Sequence, residues 1–264
     1  MIRIVMKKAV AAAACVVLAV FALVGCSDDS GALSGGNAFD SSAQTSTGLS
    51  SSAATAEQDS QSHFGSQLDA AVVPEYAGAP FIEVNGNIPD FTPEEKAVPY
   101  GTEVYGKLDS LGRCTGAFAL VGRETQPTSK RGNISDIKPS GWKQNLDLYS
   151  LGLDHLYERS HLIAHKLTAE NANSQNLITG THYLNQGAMS NFETIVGDYV
   201  NATGGHVLMR VTPLFVGDEL VARGVQMEAY SLEDDGASVS FNVYCYNVQP
   251  GVAIDYSTGD SWVE

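Results

Sequence analysis

The sequence of 264 residues is poor in cysteine and in positive charge. It contains four cysteines, and 15 Lys and Arg residues stand against 30 Asp and Glu residues, for a formal net charge of −15. No Cys-x-x-Cys pair and no Cys/His cluster occurs in the sequence, so a structural zinc site is not expected. The average charge argues against a nucleic-acid partner, although the basic residues are unevenly distributed.

The sequence also lacks an apolar run long enough for a comfortable membrane span. The longest run, Ala9 to Val24, has 16 residues and follows Arg3, Lys7 and Lys8, which is the pattern of an export signal. The run ends in Leu-Val-Gly-Cys at 23–26, which resembles a bacterial lipobox. This predicts a signal peptide at 1–25 and lipidation of Cys26, which would anchor the protein on the extracellular face of the cell membrane. The alternative is an uncleaved signal anchor with an incidental cysteine.

Residues 26–72 are rich in Ser, Ala, Gly and Thr and contain neither Lys nor Arg. Such a segment buries too little apolar surface to offset its ordering entropy, so a disordered tether is predicted. Residues 73–264 have the composition of a folded domain. This length is sufficient for one substantial domain and too short for two large ones.

Runs of apolar residues predict strands at 81–84, 114–121, 207–212, 220–229 and 239–247. The clearest helix is predicted at 185–201, where apolar residues recur at three- and four-residue spacing: Ala188, Met189, Phe192, Ile195, Val196, Tyr199 and Val200. Asn185 lies on the same inward stripe at the start of this helix, where a polar amide needs a partner. It either caps the helix or holds a ligand between helix and sheet.

Two cysteines, Cys114 and Cys245, remain once the signal peptide and the lipidated residue are set aside. Cys114 shares its strand parity with Phe118 and Leu120, so both cysteines are expected to point into one core. In an exported domain they form either one disulfide or two buried thiols, and the sequence leaves both alternatives open.

The basic residues are concentrated between positions 107 and 166. This span holds nine bases and six acids, whereas the rest of the exported chain holds three bases and 24 acids. The bases are Lys107, Arg113, Arg123, Lys130, Arg131, Lys138, Lys143, Arg159 and Lys166. A local excess of positive charge favours a surface that faces phosphate, the alternative being a solvated basic face.

Within this span, Glu-Arg-Ser-His at 158–161 places Arg159 and His161 on one face of an extended stretch. A neighbouring arginine disfavours the imidazolium form, so His161 is expected to stay neutral, as a general base must. His165 completes a His-x-x-x-His pattern, but position 162 is Leu and the glutamate of a zinc protease motif is missing. His155, His182 and His206 are given no role.

Residues 171–191 are dense in Asn and Gln, which favour turns and whose oxygens can bind a hard cation. Mg²⁺ keeps most of its waters and often takes only one or two protein ligands. A neutral histidine near a lightly held Mg²⁺ and an arginine is a workable set for phosphodiester hydrolysis.

Three segments carry a resemblance to a known family: ERSH at 158–161, NLITGTHYLNQGAMSNFE at 176–193 and FNVYCYNVQPGVAIDYSTGDS at 241–261. Together they resemble the DNA/RNA non-specific endonucleases, which are ββα-metal (His-Me finger) enzymes. The resemblance extends over roughly 100–261. It implies an α+β fold, mainly an antiparallel sheet with the metal-bearing helix packed on it.

The resemblance also implies roles for single residues. His161 matches the general base that activates water, and Arg159 matches the arginine that neutralises the phosphorane. Asn185 matches the one direct protein ligand of Mg²⁺, while Asn176 and Glu193 match positions that support the metal's water shell or its ligand. The chain departs from the family's Asp-Arg-Gly-His signature at two positions, since Glu158 replaces Asp and Ser160 replaces Gly.

Lys130, Arg131 and Lys143 are the expected contacts to the phosphate backbone. Trp142 either stacks on a base or fills a core position. The sequence thus predicts a surface-anchored endonuclease that uses Mg²⁺ or Mn²⁺, cleaves DNA and RNA without sequence preference and leaves 5′-phosphate ends. The principal alternative is a lipoprotein that binds DNA for uptake without cutting it, and an adhesin or structural lipoprotein is a third.

Overall fold

The computed structural model describes residues 68–69, 72–144, 151–152 and 154–264. The predicted signal peptide and Cys26 lie outside the described residues, as does nearly all of the predicted tether. No helix in this described part of the chain combines the length and the hydrophobicity needed to cross a bilayer.

The centre of the fold is a six-stranded antiparallel sheet in the order β1-β8-β7-β6-β3-β2. Its strands are β1 (Phe81–Glu83), β2 (Glu103–Tyr105), β3 (Ala117–Val121), β6 (Val207–Leu214), β7 (Gly224–Ser231) and β8 (Ser240–Tyr246). All five strands predicted from the sequence are present, with shifted ends. Strands β9 (Val252–Ile254) and β10 (Ser261–Val263) form a separate antiparallel pair.

The elements that carry the candidate site form a compact succession between β3 and β6. An antiparallel hairpin of β4 (Tyr157–His161) and β5 (Leu177–Thr181) encloses the short helix α1 (His165–Thr168) and a 3₁₀ turn (Ser174–Asn176). A π-helical segment (Tyr183–Met189) then leads into helix α2 (Ser190–Thr203), which ends at Gly204 in the left-handed conformation. The chain therefore runs strand, strand, helix through the site.

One face of the sheet packs against this strand-strand-helix unit. Leu162, Ile178, Met189, Val196 and Val200 from the unit are fully or almost fully buried against the sheet. On the sheet side, the same core includes Phe241, Val243 and Cys245 of β8 and Val239 just before it. These are the residues that the alternation predicted to share one face. The hydrophobic core thus fixes the hairpin and the helix relative to each other.

The predicted helix differs from the observed one in its start and in its buried face. Residues 183–189 are wound as π-helix, so regular α-helix begins at Ser190 rather than at Asn185. The buried face is centred on Glu193, Val196 and Val200, and Ile195 on the opposite side is 45% exposed. The prediction that Ile195 is buried is therefore wrong, because the apolar stripe is narrower than the spacing indicated.

Cys114 and Cys245 are both buried in the main core, but they are free thiols. The Cys114 Sγ donates to the main-chain oxygen of Leu177 at 3.2 Å, whereas the Cys245 Sγ lies 3.8 Å from the Met227 Sδ. The disulfide alternative is therefore wrong, and the buried-thiol alternative holds. The expected parity of Cys114 is wrong as well, since Phe118 and Leu120 belong to a different core cluster.

Candidate active site

A cleft of about 270 Å³ opens between the end of β4, α1 and the start of α2. It is lined by Arg131, Arg159, His161, Ala164, His165, Lys166, Asn185, Gln186, Ser190 and Glu193. Four residues predicted separately, Arg159, His161, Asn185 and Glu193, therefore meet at one place. A second cleft of about 330 Å³ shares Arg131, Arg159, Asn185 and Gln186, and its lining also includes Trp142, His155 and Glu158.

His161 is the last residue of β4 and is 6% exposed. Its Nε2 lies 2.9 Å from the main-chain oxygen of Asn171, and its Nδ1 lies 3.4 Å from Arg131 Nη2. A carbonyl oxygen can only accept and a guanidinium can only donate, so both partners require the same neutral tautomer. In that tautomer Nε2 carries the hydrogen and Nδ1 carries the free lone pair.

The surroundings of His161 favour its neutral form. Burial lowers the pKa of the imidazole, the charges of Arg131 and His165 lower it further, and the resulting pKa is about 4 in spite of the Asn171 carbonyl. The neutral histidine expected from the sequence is thus present, but for a different reason. Burial is the main cause, and the arginine that contributes is Arg131 rather than Arg159.

Asn185 lies in the π-helical segment and is directed at β4. Its Oδ1 accepts a hydrogen bond of 2.6 Å from Ser160 Oγ, which leaves the second lone pair of this oxygen available. Ser160 fits because Gly180 lies beside it: a Cβ on Gly180 would come within 2.6 Å of the Ser160 Cβ. The serine that departs from the family signature therefore orients the predicted metal ligand. Asn185 therefore does not cap the helix, since it lies inside the π-helical segment and its side chain bonds to Ser160 and Glu158.

Glu158, the other departure from the signature, joins two groups of side chains. Its Oε2 accepts hydrogen bonds from Gln186 Nε2 at 2.8 Å and from Asn185 Nδ2. Its Oε1 lies 2.6 Å from His182 Nδ1 and 3.4 Å from His155 Nε2. Burial alone would raise the pKa of Glu158, but the hydrogen bonds from Gln186, Asn185 and His182 lower it overall, so the carboxylate is ionised.

Glu193 reaches the cleft from the first turn of α2 and is 7% exposed. Its Oε2 lies 3.8 Å from Lys166 Nζ. Burial raises its pKa to about 7, although Lys166 and the main chain of Ala164 lower it. A carboxyl with this pKa is partly protonated at neutral pH. A cation bound in the cleft would favour its ionised form.

Asn176 is placed differently from its prediction. Its side chain is fully buried, accepts from the Ile163 N–H at 3.0 Å and donates to the Ile163 carbonyl at 3.0 Å. Both of its polar atoms are therefore used on the main chain two residues after His161. In this position Asn176 fixes the backbone that follows the histidine and does not line the cleft.

Arg159 is held by the loop that crosses the cleft. Its Nε donates to Ile137 O at 2.5 Å and its Nη2 donates to Ser135 O at 2.6 Å. Its guanidinium carbon lies 4.2 Å from the centre of the Trp142 ring, and Trp142 also packs on a cluster around Leu156 and Tyr157. The core alternative for Trp142 is thus the one favoured by its packing.

The three residues predicted to contact the phosphate backbone of the nucleic acid lie at different distances from His161. Arg131 lies at the cleft beside His161, and Lys130 is exposed next to it. Lys143 is exposed and forms an ion pair of 2.8 Å with Asp260. The role of Arg131 beside the base was missed from the sequence because the loop between positions 122 and 144 carries no periodic pattern that would place it.

The donor set of the cleft fits a hard cation. The amide oxygen of Asn185 has a free lone pair, and the Glu193 carboxyl lines the same cleft. Oxygen donors of this kind suit Mg²⁺ and Mn²⁺, and one or two protein ligands are enough for Mg²⁺. Gln186 was not singled out from the sequence, although its place directly after Asn185 in the amide-rich stretch was the available signal.

The family model for DNA/RNA non-specific endonuclease matches residues 94–232, which include every residue of the cleft. The chain belongs to this family. The assignment made from the sequence is therefore confirmed, and with it the class of enzyme, the nucleases.

Curated and solved relatives agree with this membership. A deoxyribonuclease from Streptococcus dysgalactiae subsp. equisimilis is 27% identical over an alignment that covers 62% of this chain and 62% of that relative. The structure of NucA from Streptococcus agalactiae with a magnesium ion bound is 27% identical, with a TM-score of 0.60 over 69% of this chain and 86% of that one. The chain spans about 62% of the length of the curated relative that it matches.

The structure of the Sda1 nuclease with a bound zinc ion is 26% identical, with a TM-score of 0.52 over 62% of this chain and 81% of that one. These two solved relatives and the observed sheet with its packed helix confirm the predicted α+β fold of the ββα-metal type. The family is metal-dependent, which agrees with the oxygen donors in the cleft.

Proposed function

We propose that this chain is a Mg²⁺- or Mn²⁺-dependent endonuclease that hydrolyses phosphodiester bonds of DNA and RNA without sequence preference. The observation that carries the proposal is the pair of hydrogen-bond partners that sets the tautomer of His161. Its Nε2 is held by the Asn171 carbonyl, so its basic Nδ1 is directed at Arg131 and the cleft. A neutral, oriented histidine beside an oxygen ligand for a cation is the arrangement required for activating water at neutral pH.

The residues of the chain supply the proton transfer and the orientation. A phosphate group would compete with His161 Nδ1 as an acceptor for Arg131, because charged acceptors make stronger hydrogen bonds with a guanidinium. Arg131 would then bind the phosphate and leave Nδ1 free to accept a proton from water. The hydroxide attacks phosphorus as the bond to the 3′-oxygen breaks, and the departing oxygen takes a proton from solvent water, so the products carry 5′-phosphate and 3′-hydroxyl ends.

Asn185 would hold the cation, with Ser160 and Glu158 orienting its amide and Glu193 lining the same cleft. When bound, the ion would supply positive charge that stabilises the negative charge growing in the transition state. The side chains that face the substrate all address phosphate or metal rather than base edges, which supports a lack of sequence preference.

A plasmid assay separates cleavage from binding alone. The purified chain is incubated with supercoiled plasmid, and separately with single-stranded RNA, in Mg²⁺, in Mn²⁺ and in EDTA. We expect nicking and degradation with either metal and none with EDTA. Intact plasmid under all conditions, together with a gel shift, would support the non-cleaving uptake receptor instead.

Replacement of the predicted metal ligand should act on the metal dependence. Asn185→Ala removes the amide oxygen, and we expect the Mg²⁺ concentration for half-maximal cleavage to rise by at least about tenfold, since even outer-shell partners of a metal contribute this much. The measurement is the initial rate of plasmid nicking as a function of Mg²⁺ concentration. Asn191→Ala, at an exposed position of α2, is the matched control and should leave the curve unchanged.

The acid limb of the pH profile should report the low pKa of His161. His161 is almost entirely neutral well above its pKa of about 4, and the neutral fraction falls as the pH drops through that value. At pH 5, roughly 90% of such a histidine is neutral, against roughly 3% of one with the ordinary value of 6.5.

The Glu193 carboxyl also titrates in this range, so the profile is measured in Glu193→Gln, where that carboxyl is absent. In this variant we expect kcat/KM to keep its neutral-pH value down to about pH 5. Arg131→Met removes a positive charge that lowers this pKa, so the limb should move to higher pH. A limb near pH 6.5 in Glu193→Gln, where the Glu193 carboxyl is absent, would contradict the assignment of the base.

We also propose that the mature chain is anchored through Cys26 to the extracellular face of the cell membrane. The support is the lipobox-like sequence at 23–26 after a basic and then apolar leader. Radiolabelled fatty acid should be incorporated into the wild type and not into Cys26→Ala. Equal incorporation by both would refute the anchor without bearing on the nuclease activity.

A further inference from the structure

Two histidines that the sequence left without a role converge on one carboxylate beside the catalytic cleft. His155 precedes β4, His182 follows β5, and Glu158 lies on β4 between them. His155 Nε2, Glu158 Oε1 and His182 Nδ1 all lie within 4.8 Å of one another. Within the described residues, this is the only group of three His, Cys, Asp or Glu side chains with such a geometry.

We propose that His155, Glu158 and His182 form a second metal site, which binds a transition-metal ion of the Zn²⁺ type and is separate from the oxygen site at Asn185. Two imidazoles and one carboxylate are a donor set that zinc enzymes use with a fourth position open to water. Imidazole suits Zn²⁺ and its neighbours in the first transition series, whereas Mg²⁺ prefers oxygen donors alone. The two sites should therefore select different ions.

The distances between the donor atoms are near those that a bound ion requires. Ligands at 2.0–2.1 Å from a tetrahedral Zn²⁺ are about 3.4 Å apart. The Glu158 carboxylate oxygen is 3.4 Å from His155 Nε2 and 2.6 Å from His182 Nδ1. Side-chain movements on the order of 1 Å would therefore complete the site, given the tetrahedral spacing.

The backbone and the remaining carboxylate oxygen hold the site in place. The His182 N–H donates to the main-chain oxygen of Leu156 at 2.9 Å, which ties the two histidine-bearing segments together. Glu158 Oε2 accepts from Gln186 at 2.8 Å, which orients the carboxylate as outer partners of metal ligands do. The His155 and His182 side chains are 46% and 45% exposed, so an ion and a water ligand can enter from solvent.

The shared carboxylate couples this site to the proposed nuclease site, a consequence that rests on the proposed function. Oε1 of Glu158 faces the histidines, and Oε2 accepts from the Asn185 amide. A divalent ion on Oε1 would draw negative charge away from Asn185 and repel a second cation there. We therefore expect Zn²⁺ to raise the Mg²⁺ concentration needed for cleavage.

The first test measures binding of the metal alone to the full chain, without nucleic acid. Calorimetric titration with Zn²⁺ should show one site, and Co²⁺ should give the visible absorption of a four-coordinate complex. His155→Gln and His182→Gln should each lower the Zn²⁺ affinity by at least about tenfold, because a direct ligand is lost. Circular dichroism establishes that each variant is folded.

His206→Gln is the matched control. His206 also lies between two carboxylates, but it meets Glu233 through Nδ1 at 2.6 Å and Glu124 through Nε2 at 3.4 Å, so no single ion can bind all three. This variant should bind Zn²⁺ as the wild type does. If folded His155→Gln and His182→Gln also bind Zn²⁺ with wild-type affinity, the proposed site does not exist.

The second test measures plasmid nicking against Mg²⁺ concentration with and without a fixed amount of Zn²⁺. Zn²⁺ should shift the wild-type curve and leave that of His155→Gln in place. An equal shift in both proteins would mean that Zn²⁺ acts at Asn185, which would overturn the coupling. Failure of the nuclease proposal is distinguishable, because it would abolish cleavage and leave the binding titration unchanged.

Discussion

Replacing His161 by Ala is expected to reduce the rate of DNA cleavage by about 100- to 10,000-fold at neutral pH, the range contributed by a general base. The variant should remain folded, because His161 contributes one hydrogen bond to a main-chain carbonyl and no ion pair at this pH. The measurement is the initial rate of plasmid nicking at saturating Mg²⁺.

His165→Ala is the matched control for this prediction. His165 lines the same cleft four residues later, but no catalytic role is assigned to it. We expect its rate to stay within a few-fold of the wild type. Cleavage by His161→Ala at the wild-type rate would remove the assigned base, whereas equal losses in both variants would indicate a structural role for this segment.

Replacing Arg210 by Met is expected to lower the free energy of unfolding by about 3–5 kcal/mol, which is the cost of breaking a buried ion pair from one side. Arg210 lies on β6, on the face of the sheet away from the active site, and is 3% exposed. Its Nε donates to Glu228 at 2.8 Å, and its Nη1 donates to Glu95 at 2.7 Å. Burial alone would lower its pKa, but the hydrogen bonds and charges of Glu228 and Glu95 raise it overall.

The substitution would leave the buried carboxylates of Glu95 and Glu228 without their cation. It would also remove the hydrogen bond of 2.5 Å that Arg210 Nη2 donates to the Asp90 carbonyl, one of the contacts that hold the segment before β2 on the sheet. Thermal unfolding should show a decrease of roughly 6–20 °C in Tm for a domain of this size.

Arg223→Met is the control, because the Arg223 side chain is 46% exposed where it pairs with Glu219. Exposed ion pairs contribute about 0–1 kcal/mol, so this variant should unfold close to the wild type. Equal losses of stability in the two variants would show that burial of the Arg210 network does not matter.

The parts of the fold that the sequence predicts are those governed by local period. Alternation in β8 correctly placed Phe241, Val243 and Cys245 in one core. For the helix, the three- and four-residue spacing of apolar residues predicted a buried stripe that is wider than the observed one. A helix presents every residue around its axis at 3.6 residues per turn, and only the partner surface determines which sector is buried. Ile195 fits the spacing and lies on the solvent side.

The parts of the site that the sequence did not predict depend on main-chain atoms and on distant loops. The orientation of His161 depends on the carbonyl of Asn171, and every residue type offers such an oxygen. The low pKa depends on burial and on Arg131, which a loop brings back across 30 positions. His182 was assigned no role because its partner, Glu158, is reached only through the register of the hairpin.

The two free thiols allow each half of the domain to be observed as it opens. A thiol reagent attacks the thiolate, and burial raises the pKa of Cys114 to about 12 and that of Cys245 beyond the ordinary range. Labelling therefore requires local opening. Cys114 lies against Leu177 at the start of β5, whereas Cys245 pairs with Phe81 and Val225 inside the sheet. Mass spectrometry of peptides distinguishes the two labelled cysteines. The two labelling rates would therefore report independently how often the hairpin of β4 and β5 and the central sheet open locally.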